Sequence, residues 1–178
     1  MQNCNHQTQD ELASILHLYY LPQIGSKRLE LLITHFGSAT CALQETRGWQ
    51  QLKIPSASLK ELNCESVMRQ VENSLNWLSL PNHYVLDINN DNYPKSLLQL
   101  DYKPYLLFVN GDPNILNNAL QLAIVGSRSA TVGGLDNAYN FAKNLAKLGF
   151  TITSGLAAGI DGASHAGTLA TNGTTIAV

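Results

Sequence analysis

Over the first eighty residues the apolar positions recur at helical intervals. Leu12, Ile15, Leu16 and Tyr19 share one face, with Thr8 and Glu11 at capping-box spacing ahead of them. Pro22 ends that helix. Gly25-Ser26 opens a second, whose face carries Leu29, Leu32, Ile33 and Phe36 and which Gly37 closes. Ser38 is placed to cap a short third helix running to Gln44, and Val67, Val71, Leu75 and Leu78 mark a fourth. The rhythm then changes. Tyr84-Val85-Leu86 and Tyr105 to Val109 read as short strands, with turn clusters at Asn89 to Asn92 and Asn110 to Pro113.

From Gln121 onward the alternation is clearest. Leu122-Ala123-Ile124-Val125 is an apolar run ending in Gly126, which predicts a buried parallel strand. Leu135, Ala138, Ala142 and Leu145 give a helix up to Gly149. Phe150 to Thr153 gives a second strand, Ile160 to Thr171 a second helix closed by Asn172-Gly173, and Thr174 to Val178 a third strand. Strand–helix–strand–helix–strand at this spacing implies right-handed crossovers and a parallel sheet. The expected fold class is α/β: a small all-helical domain over residues 1–80, of helix-hairpin-helix type, followed over 81–178 by an incomplete Rossmann-like parallel sheet. A doubly wound sheet continues past a third strand, so the chain is expected to be a fragment or a truncated reading frame.

Composition narrows the function classes. Of 178 residues 44% are apolar and only 13% charged, which argues against extended disorder. Net charge is −2. Residues 1–85 carry six Lys/Arg against seven Asp/Glu, and residues 86–178 five against six, so neither half is a basic block. A nonspecific duplex binder carries a basic stripe; here any phosphate contact must rest on a few placed residues. Cys4, Cys41 and Cys64 are odd in number with no C-x-x-C spacing, as expected of reduced cytoplasmic thiols rather than a disulfide framework or zinc site. The polar start lacks a signal peptide's apolar core, and no apolar run approaches the roughly 18 residues of a membrane span.

Two strand-to-helix turns carry the candidate chemistry. The first begins Gly126-Ser127-Arg128, at the carboxyl edge where such sheets bind ligands. Gly126 permits a sharp turn, main-chain N–H groups with a helix N-terminus behind them attract an anion, Ser127 adds a hydroxyl and Arg128 a guanidinium suited to phosphate. The other reading is a plain tight turn with Arg128 solvated. The second turn is Ser154-Gly155-Leu156-Ala157-Ala158-Gly159, followed by Ile160-Asp161. Ser154, Gly155 and Gly159 would let it lie beside the first and share a groove floor. Asp161 occupies an expected helix N-cap, and His165 follows one turn later. These two are read as structural support, a cap whose carboxylate orients the imidazole, rather than as a catalytic pair. No nucleophile accompanies them. Both G-x-G-x-x-G and G-x-x-x-x-G-K-[ST] are missing, so neither a dinucleotide nor a triphosphate cofactor is expected. His6, His17, His35 and His83 have no paired ligand spacing, and no metal is expected.

In order and spacing, four pieces resemble the signature of the DNA-processing protein A (DprA/Smf) family. They are Ala123 to Arg128, Ser154 to Asp161, Ala163 to Leu169 and Gly173 to Val178. Asp91-Asn92-Tyr93-Pro94, then Leu97, Pro104, Leu107-Phe108 and Gly111, resemble the family's lead-in. Leu21 to Arg28 and His35 to Ser38 resemble the helix-hairpin-helix that the family often carries. Gln23 stands where that hairpin's first glycine belongs, which favours a packing role. The resemblance implies a bacterial cytoplasmic protein, not classed as an enzyme, that binds single-stranded DNA and helps load the RecA recombinase in natural transformation. For intact relatives the resemblance implies a homodimer. It implies that Gly126, Ser127 and Arg128 contact DNA phosphates, and more loosely that Ser154, Gly155 and Gly159 do. Relatives often have a basic residue at the position of Thr174. Two other classes stay open on sequence. One is a nucleotide phosphoribohydrolase-like enzyme with a related sheet; the other is a helix-hairpin-helix interaction module.

Overall fold

The computed structural model describes the backbone of residues 3–178 and the side chains of residues 10–178. The thiol of Cys4, the ring of His6 and the hydroxyl of Thr8 lie outside the described residues. The chain divides into two compact units, Met1–Pro113 and Asn114–Val178.

The first unit holds α1 (Asn3–Tyr20), α2 (Ser26–Phe36), α3 (Ala39–Gln44), α4 (Ser56–Lys60), α5 (Glu65–Leu78), β1 (His83–Asp87) and β2 (Leu106–Asn110). The starts and stops of α2 and α3 follow their local chemistry. Gly37 sits in the left-handed region at the end of α2, and the Ser38 hydroxyl accepts from the Cys41 N–H at 3.0 Å. Thr8, expected to open the first helix, is interior to α1, which already runs from Asn3. Glu11 has another task. Its carboxylate accepts from the Ala39 N–H, the Thr40 N–H at 3.1 Å and the Thr40 hydroxyl at 2.7 Å. An anion there satisfies the otherwise orphan donors at the start of α3.

Leu16, Leu18, Leu29, Leu32, Ala39, Ala42 and Trp49 are fully buried in one core. Leu18, not Tyr19, completes the inward face of α1; Tyr19 is half-exposed against Phe108. Trp49 lies on a 3₁₀ turn (Thr46–Gln50) and donates its indole N–H to the Ala42 carbonyl at 2.8 Å. Strands β1 and β2 form an antiparallel pair from His83↔Asn110 to Asp87↔Leu106. Leu106 and Tyr105 join the helical core, with Val85 and Ile88 packed against it. In the lead-in segment Tyr93 is buried and donates its hydroxyl to the Pro104 carbonyl.

Burial pushes the Tyr105 phenol up to about 12 from an ordinary value of 10.0, helped by the carboxylates of Asp87, Glu30 and Glu11. Between these values the unfolded chain has lost the proton and the folded chain keeps it, so stability falls as pH rises. The contribution is intact below pH 10 and lost as pH rises through about 12. Urea unfolding followed at pH 9, 10 and 11 is expected to show this loss, and Tyr105→Phe is expected to flatten it. An equal slope in both proteins would remove Tyr105 as the cause.

The second unit holds β3 (Gln121–Ala123), α6 (Val132–Lys147), β4 (Thr151–Ser154), α7 (Ile160–Leu169) and β5 (Thr175–Ala177). The expected parallel sheet is present, in the order β3-β4-β5, with registers Leu122↔Ile152 and Thr153↔Ile176. Two right-handed crossovers in sequence put both helices over one face. Helix α6 packs on α7, and both rest on β4. The central strand is therefore the buried one, with Thr151, Ile152 and Ser154 almost fully covered. The expectation of a buried first strand is overturned. Every residue of β3 is exposed, and Val125 beyond it is 72% exposed. Its apolar run matches a central strand, but among the described residues it pairs with β4 alone.

Candidate functional site

The carboxyl edge of the sheet brings the two glycine-rich turns together. Ser154 ends β4 and donates its hydroxyl to the Ile124 carbonyl at 2.6 Å. Six residues later the Ile160 N–H donates to the Ser127 carbonyl at 3.2 Å. The segment 154–160 is thus an arch with both feet tied to the 124–127 strand end. The Gly162 N–H, bonded to the Ala157 carbonyl at 3.1 Å, draws the arch back onto α7.

The glycines serve close approach. A Cβ on Gly126 would stand 2.7 Å from Ile160 Cγ1, so Gly126 is there to admit the Ile160 side chain. A sharp turn is not what requires it, since its φ is not positive. A Cβ on Gly155 would stand 2.9 Å from an Asp161 carboxylate oxygen. Gly159 has φ +87° and ψ −131°, and a Cβ there would stand 2.2 Å from the Ser127 carbonyl oxygen. Each turn is shaped to the other.

Among the predicted contact residues, Gly126, Ser127, Arg128 and Gly155 are exposed and Gly159 is half-buried. Arg128 has no hydrogen-bond or ion-pair partner among the described residues, so its guanidinium is available to solvent. The Ser127 hydroxyl accepts from the Ser129 N–H at 3.1 Å, stiffening the turn. Behind it Thr131 caps α6 by accepting from the Gly134 N–H at 3.1 Å. Ser154 stands apart from this group. It is buried and its hydroxyl is committed to the Ile124 carbonyl, so it holds the arch in place and presents no polar group to solvent.

Asp161 and His165 depart from the expected geometry. The N-cap of α7 is Gly159, and Asp161 is the second helical residue; its side chain caps nothing. It does not orient His165 either. The Thr175 hydroxyl gives its only hydrogen to the Ile152 carbonyl at 2.7 Å, so His165 Nδ1, 2.7 Å from that oxygen, must be the donor. The imidazole is set by β5 instead. Asp161 Oδ1 and His165 Nε2 are buried without a partner. Among the described residues no group of three or more His, Cys, Asp or Glu side chains could hold a metal ion. No described helix is long and apolar enough to cross a membrane.

Leu156, to which the sequence assigns no role, is also unusual. It is a non-glycine residue with φ +53°, and its side chain is 68% exposed at the crown of the arch. Periodicity cannot find such a residue. The available sequence signal is an apolar residue inside a glycine- and alanine-rich turn.

Comparison with known proteins points to one family. The profile of the family described as DNA recombination-mediator protein A matches residues 84–178. Protein Smf of Escherichia coli (strain K12) is 44% identical over 110 residues, covering 62% of this chain and 29% of that protein. DNA processing protein DprA of Bacillus subtilis (strain 168) is 37% identical over 93 residues, covering 52% and 31%. In three dimensions the chain is similar to the X-ray structure of DNA processing protein A (DprA) from Streptococcus pneumoniae. The TM-score is 0.57 at 28% identity, over 70% of this chain and 41% of that one. The chain thus spans less than a third of the length of these two curated relatives.

Proposed function

This chain belongs to the DNA recombination-mediator protein A family, and from that premise we propose that its paired turns bind the phosphates of single-stranded DNA. The observation that carries the reading is the unpartnered, exposed guanidinium of Arg128. It stands on a turn held from behind by the Ile160 N–H and stiffened by the Ser127 hydroxyl. A solvent-exposed guanidinium on a braced turn suits a phosphate diester. Gly126, Ser127 and Arg128 make the contact, Gly155 and Gly159 let the arch close against its neighbours, and Ser154 ties the arch in place. In this reading the Asn114–Val178 unit carries DNA handling, and the first unit, a helical domain with the β1–β2 pair packed on it, is accessory. The family's work in loading RecA onto single strands during natural transformation, in the cytoplasm and as a self-associating protein, is the setting we infer. The chemistry is binding rather than catalysis.

Fluorescence anisotropy with a labelled oligothymidylate tests this at two salt concentrations. The affinity is expected to fall steeply with salt. Arg128→Ala is expected to raise Kd about tenfold, the loss of one charge-assisted hydrogen bond of about 1.5 kcal/mol. It should also make the logarithmic salt slope shallower by about 0.7. An unchanged Kd in that variant would refute the assignment.

A further inference from the structure

Leu156 combines two unfavourable choices at one position. A left-handed backbone costs free energy for any residue with a Cβ, and more for a bulky one. An apolar side chain 68% open to solvent gains nothing from burial. A glycine would remove both penalties, and the same arch uses glycine at Gly155 and Gly159. Strain of this kind persists where the surroundings enforce it, and it clusters at ligand-binding sites. The enforcement is visible here. The arch is pinned by Ser154 at one foot and Ile160 at the other, and Ala157 is tied to Gly162.

The same pins fix where Leu156 stands. Two residues before it, Ser154 holds the end of β3; four residues after it, Ile160 holds the Ser127 carbonyl. Its neighbours in the arch, Gly155, Ala157 and Ala158, are small and leave the side chain unobstructed. Asp161 lies beneath Gly155 and is buried, so its carboxylate does not front the crown. An exposed aliphatic group and an exposed guanidinium thus stand on two interlocked turns, one on each.

We propose that Leu156 is the nucleobase platform of this site. It packs against the face of a base whose flanking phosphate lies on the Gly126-Ser127-Arg128 turn. The inference rests on the single-strand reading above and deepens it. Every base has an apolar π-face, so such a contact tolerates any sequence. It also selects single strands: in a duplex both faces of each base are covered by stacking, and the platform has nothing to receive.

The test compares three probes of equal length on the whole chain: oligothymidylate, an abasic oligomer with the same phosphates, and a duplex. The unsubstituted chain is expected to bind oligothymidylate about fivefold tighter than the abasic oligomer. Leu156→Gly, and Leu156→Asn, which tolerates the left-handed backbone, should both bring thymidylate affinity down to the abasic level. Abasic affinity should stay unchanged, and the thermal midpoints should not fall. Arg128→Ala should weaken both single-stranded probes alike. If both Leu156 variants hold oligothymidylate as tightly as the unsubstituted chain does, the platform is wrong and the phosphate reading survives. A chain that binds neither single-stranded probe overturns both.

Discussion

Gly167→Ala is expected to lower the stability of the Asn114–Val178 unit by about 3 kcal/mol, the upper end of overpacking penalties. The reason is the crossing of α7 over α6. A Cβ at Gly167 would stand 2.1 Å from the Tyr139 carbonyl oxygen and 2.9 Å from its carbon. Those atoms belong to the backbone of α6 and cannot rotate aside as a side chain can. The helices must separate, and Ala138 and Ala142 would lose their burial in the same movement. For a unit of this size the thermal midpoint, followed by circular dichroism, should drop by more than about 10 °C. Gly133→Ala is the control. It lies in the first turn of α6 with nothing within 4 Å, and alanine there should be neutral or stabilise the helix by up to about 1 kcal/mol. Equal midpoints for the two variants would mean that the helices are not in such close contact.

Gly159→Ala is expected to cost about as much and also to abolish the phosphate binding we propose. Backbone conformation and space forbid the change together. With φ +87° and ψ −131°, the residue occupies a region essentially reserved for glycine, at about 1–3 kcal/mol for any other residue. The added methyl would also stand 2.2 Å from the Ser127 carbonyl oxygen and 2.8 Å from that of Arg128. Relieving that contact pushes the Arg128 turn away from the arch and breaks the Ile160–Ser127 hydrogen bond. Single-strand affinity should fall at least as far as in Arg128→Ala. Gly149→Ala separates the two costs: φ is +89° but nothing lies within 4 Å. It should lose about 1–2 kcal/mol from backbone strain alone and bind DNA normally once folded. Full binding by a folded Gly159→Ala chain would show that the two turns do not depend on each other.

Local periodicity made most of this fold legible. Leu135, Ala138, Ala142 and Leu145 mark the inner face of α6, and Ser38 and Gly37 mark helix ends because their chemistry acts within a few residues. What the pattern could not carry depended on distant partners. Leu18 displaced Tyr19 from the inward face of α1 through packing against neighbouring helices. Trp49 is held by a carbonyl on α3, so no helical repeat announces its turn. The apolar run at Leu122 to Val125 has the composition of a covered strand, yet cover comes from neighbours, and β3 has one. At the site, the chemistry of Arg128 could be read from its residue type. The reason for each glycine could not, because Gly126 answers to Ile160 and Gly167 to Tyr139, both far along the chain. Asp161 failed as a cap because the preceding glycine bends the chain into the helix two residues earlier than composition suggests.

The open guanidinium of Arg128 sits on a chain whose net charge is −2. The net charge of these 178 residues offers a polyanion no attraction toward it, and at ordinary ionic strength charges beyond about 10 Å are screened in any case. For the site we propose, these residues supply no long-range steering, and the expected arrival rate is that of ordinary patch-on-patch docking, roughly 10⁵–10⁷ M⁻¹ s⁻¹. If the proposed site discriminates between strands, it does so through how long each one stays.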